Sequence, residues 1–284
     1  MVKTIGNPLS WAAQALGGAA GHVTETVEHI GSDDPADLTI RDLSTQDLRD
    51  ALSLGIQDFT AARADVMFLV LLYPIIGLVL AGVGLNANLL PLLFPLAAGF
   101  ALIGPVAAVG LYEISRRRER GEPVSWAAAL GVIGGPNFGA VVVLGLYLIG
   151  IFLAWMLVAN FIYTVTLGPE PPASVSGFVR DVFTTGAGWA MMLGGIAVGF
   201  GFALVVLAIS VVSFPLLLDR SVGVPVAVVT SVRVFRQNPR VILTWGAIVA
   251  AGLVLGSIPA FIGLMLVLPI LGHATWHLYR RAVA

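Results

Sequence analysis

Long apolar stretches separated by short charged segments make up most of this 284-residue chain after residue 65. A helix needs about 20 predominantly apolar residues to cross the hydrocarbon core of a bilayer. Only 11% of the residues are charged, against roughly 25% in ordinary soluble domains. The sequence therefore predicts an all-α membrane protein. Six stretches are the candidate transmembrane helices: 66–84, 89–112, 139–163, 187–217, 241–258 and 260–277.

Two shorter apolar segments, 124–135 and 222–235, connect candidate spans. Segments of this length are typical of interfacial or re-entrant pieces, and the sequence does not decide between the two. Both begin near a Gly-x-Pro-Val sequence, and a spanning stretch follows each of them. This pattern predicts a weak internal repeat of span, surface helix and span. The long fourth stretch is predicted to be strongly tilted, to kink at Pro215 or to extend beyond the bilayer, and the last two stretches to form a tight hairpin.

The first 65 residues differ from the six-span domain predicted over 66–284, because they contain ten of the sixteen acidic residues. Residues 1–37 predict a flexible, acidic cytoplasmic leader. Residues 38–65 predict an amphipathic helix whose capping box pairs Ser44 with Asp47. We expect it to lie along the membrane surface or against the cytoplasmic side of the bundle. Its apolar positions recur at helical spacing: Leu48, Leu52, Ile56 and Phe59.

Basic residues fall on one side of the predicted spans. With the N-terminus inside, Arg180 is the only one of the fifteen Lys and Arg residues that lies outside. Positively charged loops mark the cytoplasmic side of membrane proteins. The sequence therefore predicts a multi-pass protein with both termini in the cytoplasm.

The densest basic cluster lies in "LYEISRRRERGEP", residues 111–123. It is first a determinant of topology, and such clusters also attract anionic lipid head groups. Interleaved acids neutralise part of its charge, and we expect Glu113 and Asp219 to pair with neighbouring arginines. The residues predicted to bind lipids or partner proteins are Arg116, Arg117, Arg118, Arg120, Arg233 and Arg236.

Two other functions stay open at this point. A passive channel or uncoupled transporter for a small solute is the first, because paired broken segments are typical of transporter sites. Its candidate polar contacts are Asn137, Asn160 and Asn238. A haem- or metal-binding respiratory accessory subunit is the second, because His273 and His277 share one helix face. Beside aromatic and basic residues, however, the two histidines are interpreted as interfacial anchors, and no metal site is predicted.

Several motifs resemble a known family. They are "DLRDALSLGIQDF" (47–59), "LYPIIG" (72–77), "FPLAAGFALIGPVAAVGLYEISRRRERGEP" (94–123) and the closing hairpin. In these segments the chain resembles the bacterial integral-membrane family called domain of unknown function 2189, over roughly residues 38–280. The resemblance implies a six-span protein of the bacterial inner membrane. Some relatives are labelled cytochrome c oxidase subunits, but the catalytic oxidase subunit needs more histidine ligands than the four in this chain.

The sequence shows no catalytic motif, so we expect a non-enzymatic protein without a cofactor. Cysteine is absent and the net charge is −1, which gives no general attraction to nucleic acid. We therefore predict a membrane scaffold or accessory subunit. Its partners would be the lipid bilayer and other membrane-protein subunits, bound at the basic cytoplasmic face. The sequence does not define an oligomeric state.

Overall fold

The computed structural model describes most of the chain from residue 38 to residue 284, and every regular element in the described part is a helix. The predicted leader 1–37 and most of the first predicted span lie outside the described residues. Side chains at 100–102 are likewise not described. The described residues are 38–61, 75, 77–79, 82, 89–102, 104–125 and 129–284.

Eleven α-helices are bounded in the described part of the chain, with short 3-10 turns at Leu90–Leu92 and Gly131–Gly134. In chain order they are α1 (Thr45–Ala61), α2 (Leu93–Leu102), α3 (Gly104–Ala107), α4 (Val109–Glu119), α5 (Phe138–Thr166), α6 (Val175–Thr184), α7 (Gly186–Ser210), α8 (Ser213–Asp219), α9 (Val224–Gln237), α10 (Pro239–Ser257) and α11 (Leu264–Ala282).

Three segments of the described chain are long and apolar enough to cross a membrane: α5, α7 together with α8 (Gly186–Asp219), and α10. They coincide with the third, fourth and fifth predicted spans. The second predicted span is described as three successive helices, α2, α3 and part of α4. The full set of six spans and the internal repeat therefore stay predictions.

The long fourth stretch is interrupted, but at Val211 and Val212 rather than at Pro215 itself. Pro215 lies in the first turn of α8, and its ring nitrogen cannot donate to a carbonyl one turn earlier. Polar contacts with α9 support the break. The backbone N–H of Val212 donates to Ser231 Oγ at 3.4 Å, and Ser213 Oγ donates to the Ala227 carbonyl at 3.0 Å.

The predicted tight hairpin between the last two apolar stretches is confirmed. α10 ends at Ser257 and α11 begins at Leu264. The backbones of the two helices touch, because a Cβ placed on Gly263 would lie 2.8 Å from the Gly256 Cα. The turn places Ala260 and Phe261 at positive φ, 49° and 65°.

The amphipathic helix α1 packs against the second half of α11. A Cβ at Gly55 would lie 2.7 Å from the Ala274 backbone nitrogen, so the two helices are in backbone contact. The predicted capping box is confirmed: the Ser44 N–H and Oγ both donate to Asp47 Oδ2, at 2.8 and 2.7 Å. Because α1 exposes polar residues, it marks this half of α11 as lying near or outside the membrane boundary.

The predicted apolar face of α1 is partly wrong. Leu48 and Phe59 are buried as expected, but Ile56 is 48% exposed. Asp58, a charged residue outside the predicted apolar positions, is buried. The helix turns Gly55 toward α11, where it contacts the Ala274 backbone. Asp58 then lies inside, where it pairs with Ser115 of α4 and His277 of α11.

Candidate functional site at the basic end

Arginines from several helices gather where α5 and α10 begin and α8 ends, which we call the basic end. One contact joins two of these helix ends, and another joins the start of α10 to the segment before α1. Asn137, before α5, lies with its Nδ2 3.4 Å from the Arg220 carbonyl. Asn238, before α10, donates from Nδ2 to the Arg41 carbonyl at 3.1 Å. The helix α9 and the C-terminal half of α11 complete this region.

The four arginines at the end of α4 (Arg116, Arg117, Arg118 and Arg120) are called the α4 arginines. Two of them hold the buried Glu113 carboxylate. Arg116 Nη2 lies 2.7 Å from Glu113 Oε2, and Arg117 Nε lies 2.7 Å from Oε1. Arg116 also donates to the Leu218 carbonyl at 2.8 Å. These side chains therefore serve the interior of the protein, and the predicted pairing of Glu113 is confirmed.

A second group of ion pairs connects α4, α8 and α11. Arg120 and Arg280 lie 3.2 and 3.3 Å from opposite oxygens of Asp219, so its predicted pairing is also confirmed. Tyr279 Oη donates to the same carboxylate at 2.9 Å. A cavity of about 430 Å³ opens at this point. It is lined by Glu119, Arg120, Asp219, Arg220, Trp276 and Arg280.

The buried Asp58 carboxylate joins α1 to both α4 and α11. Its Oδ1 lies 3.1 Å from Arg118 Nη1. Its Oδ2 accepts from Ser115 Oγ at 2.6 Å and lies 2.8 Å from His277 Nε2. Burial alone would raise the pKa of Asp58, but the hydrogen bonds from His277 and Ser115 outweigh this and lower the pKa below its usual 3.8. The carboxylate is therefore charged in the folded protein.

His273 extends this cluster but gives it no catalytic or metal-binding geometry. Its Nδ1 lies 2.8 Å from Ser115 Oγ, so the serine stands between the histidine and Asp58. A catalytic triad needs the histidine between the serine and the acid, and Ser115 is fully buried. Among the described residues no group of three or more His, Cys, Asp or Glu side chains could hold a metal ion.

The interpretation of the two histidines as interfacial anchors is wrong. His273 is 0% exposed, and the neighbouring Trp276 and Tyr279 are also buried. α11 is covered here by α1 on one side and by α4 and α8 on the other, so no belt facing the lipid interface forms. The sequence missed Asp58 as a partner because it lies more than 200 residues away along the chain.

The three asparagines predicted for a solute path do not come together. Asn137 and Asn238 lie at the basic end, where they hold backbone groups of neighbouring segments. Asn160 is exposed in the other half of α5, about 35 Å from Asn137 at 1.5 Å per residue. The described contacts give Asn137 and Asn238 connecting roles, and the three asparagines line no common path.

Arg233, Arg236 and Arg240, which we call the α9–α10 arginines, differ from the α4 arginines. All three are exposed, and their side chains make no ion pair or hydrogen bond with any described residue. On α9, Arg233 and Arg236 continue a stripe that starts with the exposed Pro225 and Val229. Arg240 was missed by the sequence analysis, although it stands only four residues after Arg236.

The segment before α1 is fastened directly beside these arginines. Asn238 Oδ1 accepts the Leu43 N–H at 2.7 Å. Gln237 Nε2 donates to Asp42 Oδ1 at 2.7 Å. At the other edge of the segment, the Arg41 N–H donates to the Ala282 carbonyl at 3.0 Å. Residues 38–43 therefore run between the end of α9 and the end of α11.

A family model described as "Predicted integral membrane protein (DUF2189)" matches residues 93–219, from α2 to the end of α8. The predicted family resemblance is confirmed over these residues. The match and the three spanning-length helices identify an integral membrane protein in contact with the lipid bilayer. The matched residues include the α4 arginines and precede the α9–α10 arginines. No curated protein and no solved structure matches the chain significantly.

Proposed function

We propose that the protein is a non-enzymatic scaffold or accessory subunit of the bacterial inner membrane that binds anionic phospholipid head groups through α9. In this proposal the basic end faces the cytoplasm, with both termini on that side. The observation that carries it is that the α9–α10 arginines are exposed and have no described ion-pair partner, whereas the α4 arginines at the same end are all paired with carboxylates. The binding residues are Arg233 and Arg236, supported by Arg240.

The position of α9 supports lipid as the ligand. The helix lies between two spanning segments, one ending at Asp219 and the other beginning at Pro239. Its buried face holds Val224, Ala227, Thr230, Ser231 and Val234. Its outer face is apolar at Pro225 and Val229 and basic toward the end. Apolar and basic residues on one exposed face are typical of helices at a lipid interface.

The α4 arginines have a different part in this proposal. They hold α1, α4, α8 and α11 together through buried acids and so keep the surface that carries α9 in place. Basic juxtamembrane residues contribute about 1 kcal/mol each to the attraction to an anionic surface. That contribution requires charge that is not already neutralised by a fixed carboxylate.

Thermal unfolding in detergent micelles tests the proposal. A ligand that binds only the folded state stabilises it by RT ln(1 + [L]/Kd), where [L] is the free ligand concentration. Added phosphatidylglycerol should raise Tm more than added phosphatidylcholine does. The variant Arg233→Ala/Arg236→Ala should lose most of this difference, whereas Arg180→Ala, an exposed arginine on a different helix, should keep it. Equal stabilisation by both lipids in the unaltered protein would overturn the proposal.

A further inference from the structure

An acidic stretch of the sequence directly precedes a segment that is fixed beside the exposed α9–α10 arginines. Residues 25–37 contain Glu25, Glu28, Asp33, Asp34 and Asp37 and have no lysine or arginine. The described chain starts at Leu38, immediately after the last of these acids. Residues 38–43 are then fixed against Gln237 and Asn238.

We propose that the acidic segment 25–37 binds the α9–α10 arginines of its own chain and competes there with anionic lipid head groups. The competition rests on the proposed function. The contact between the two parts of the chain does not, and it can be tested alone.

Distances along the chain make the contact easy to reach. Gln237 Nε2 lies 3.5 Å from the Ile40 carbonyl, and Arg233 stands one helical turn before Gln237. A chain spans at most about 3.5 Å per residue. Asp37 is therefore within about 10 Å of the Ile40 attachment point, and Asp33 within about 25 Å. A short tether of this kind gives effective concentrations in the millimolar range.

Charge favours this target over the paired arginines of α4 and α11. Arg118 is held by Asp58, and Arg280 by Asp219 and Glu119. The carboxylates of segment 25–37 would have to displace an existing partner there. At Arg233 and Arg236 no described acid has to be displaced, so a new ion pair forms there without the loss of an existing one.

A disulfide experiment tests the contact. The chain has no cysteine, so within one molecule two introduced thiols can pair only with each other. Ser32→Cys with Val229→Cys leaves every acid and every arginine unchanged, and Val229 is 47% exposed one turn before Arg233. Ser32→Cys with Ser53→Cys is the matched control, because Ser53 is exposed on α1. Protection from a maleimide-polyethylene glycol reagent after mild oxidation measures the intramolecular disulfide.

The Val229→Cys pair should oxidise at least threefold faster than the Ser53→Cys pair. The advantage should disappear in 1 M salt, where the Debye length falls to about 3 Å. It should also disappear when Arg233→Ala and Arg236→Ala are added. Equal rates for the two pairs, a rate insensitive to both treatments, or a disulfide only between two copies of the chain would each overturn the contact.

Lipid titration tests the competition. Replacing the five acids by Gln or Asn should lower, at least threefold, the phosphatidylglycerol concentration that gives half-maximal stabilisation. An unchanged midpoint together with an intact disulfide advantage would overturn the competition while the contact stands. If the Val229→Cys pair oxidises no faster than the control but phosphatidylglycerol still stabilises the protein through the arginines, the proposed contact of segment 25–37 fails. The proposed function then survives. Loss of the lipid effect alone would instead count against the proposed function.

Discussion

Two groups of arginines at the same end of the molecule have opposite environments. The α4 arginines are the densest basic cluster in the sequence, yet each of them lies within 3.2 Å of a carboxylate. The α9–α10 arginines are more widely spaced, and they are exposed without a described partner. The density of charge in the sequence is therefore a poor guide to the charge that remains available to a ligand.

The difference has a physical cause. Glu113, Asp58 and Asp219 have side chains less than a tenth exposed, and a buried carboxylate is costly unless it is paired. The α4 arginines satisfy this requirement, so removing one should damage the fold. The α9–α10 arginines satisfy no buried acid, so removing one should spare the fold and affect only binding.

Replacing Asp58 should have the largest effect on stability. Asp58→Ala leaves Arg118 and His277 without their common partner, and breaking a buried pair costs about 3–5 kcal/mol. Equilibrium unfolding in denaturant measures the loss. Asp50→Ala is the control, because Asp50 pairs with Arg281 in a half-exposed position and should cost under about 1 kcal/mol. Equal losses of stability in both variants would contradict the claim that the buried Asp58 holds α1, α4 and α11 together.

Two single variants test most simply whether the two arginine groups differ in their contribution to stability. Arg116→Ala removes one partner of Glu113 and the donor to the Leu218 carbonyl, and we expect a loss of about 2 kcal/mol. Arg236→Ala should change the free energy of unfolding by less than about 0.5 kcal/mol. The same denaturant titration measures both. A larger loss for Arg236→Ala would reverse the assignment of the two groups.

The backbone contact between α1 and α11 should be sensitive to a single methyl group. Gly55→Ala forces a Cβ against the Ala274 backbone, and overpacking of this kind costs about 1–2 kcal/mol. Gly194→Ala in α7 meets no atom within 4 Å and should stabilise by about 0.5 kcal/mol. Hydrogen exchange of the α1 amides distinguishes local undocking from global unfolding. Unchanged exchange in Gly55→Ala would contradict the described docking of α1.

The smallest predicted effect concerns the start of α1 in acid. Hydrogen bonds from the Ser44 side chain and backbone hold the pKa of Asp47 below its usual 3.8. Because the folded pKa is lowered, this stabilisation is present above pH 3.8 and is lost as the pH falls through the folded value. Ser44→Ala should cost about 1 kcal/mol at pH 7 and should reduce the further loss below pH 3.8. An acid transition that is identical with and without Ser44 would contradict this role.

Local patterns in the sequence predict local structure well here. The apolar stretches predict α5, α7 with α8, and α10, and the capping box at Ser44 is where the spacing places it. Glu113 lies three and four residues before two arginines, so its ion pairs follow from helical spacing. The hairpin follows from the short turn between two apolar stretches.

Contacts between distant segments could not be predicted in the same way. The pairing of Asp58 with Arg118 and His277 depends on how α1 crosses α11, which no periodicity encodes. The same crossing buries His273 and exposes Ile56, against both expectations. The availability of Arg233 and Arg236 is likewise a tertiary property, because it depends on which acids the fold brings near them.

The most direct test of the central claim counts anionic lipids that remain bound to two double variants. Native mass spectrometry of protein released from phosphatidylglycerol-containing micelles gives this count. Arg233→Ala/Arg236→Ala should retain less than half of the phosphatidylglycerol bound by the unaltered protein. Arg117→Ala/Arg120→Ala removes the same charge from the α4 arginines and, in the molecules that remain folded, should retain nearly all of it. The opposite order, or equal losses, would contradict the claim that the α9–α10 arginines, and not the α4 arginines, are available to bind lipid.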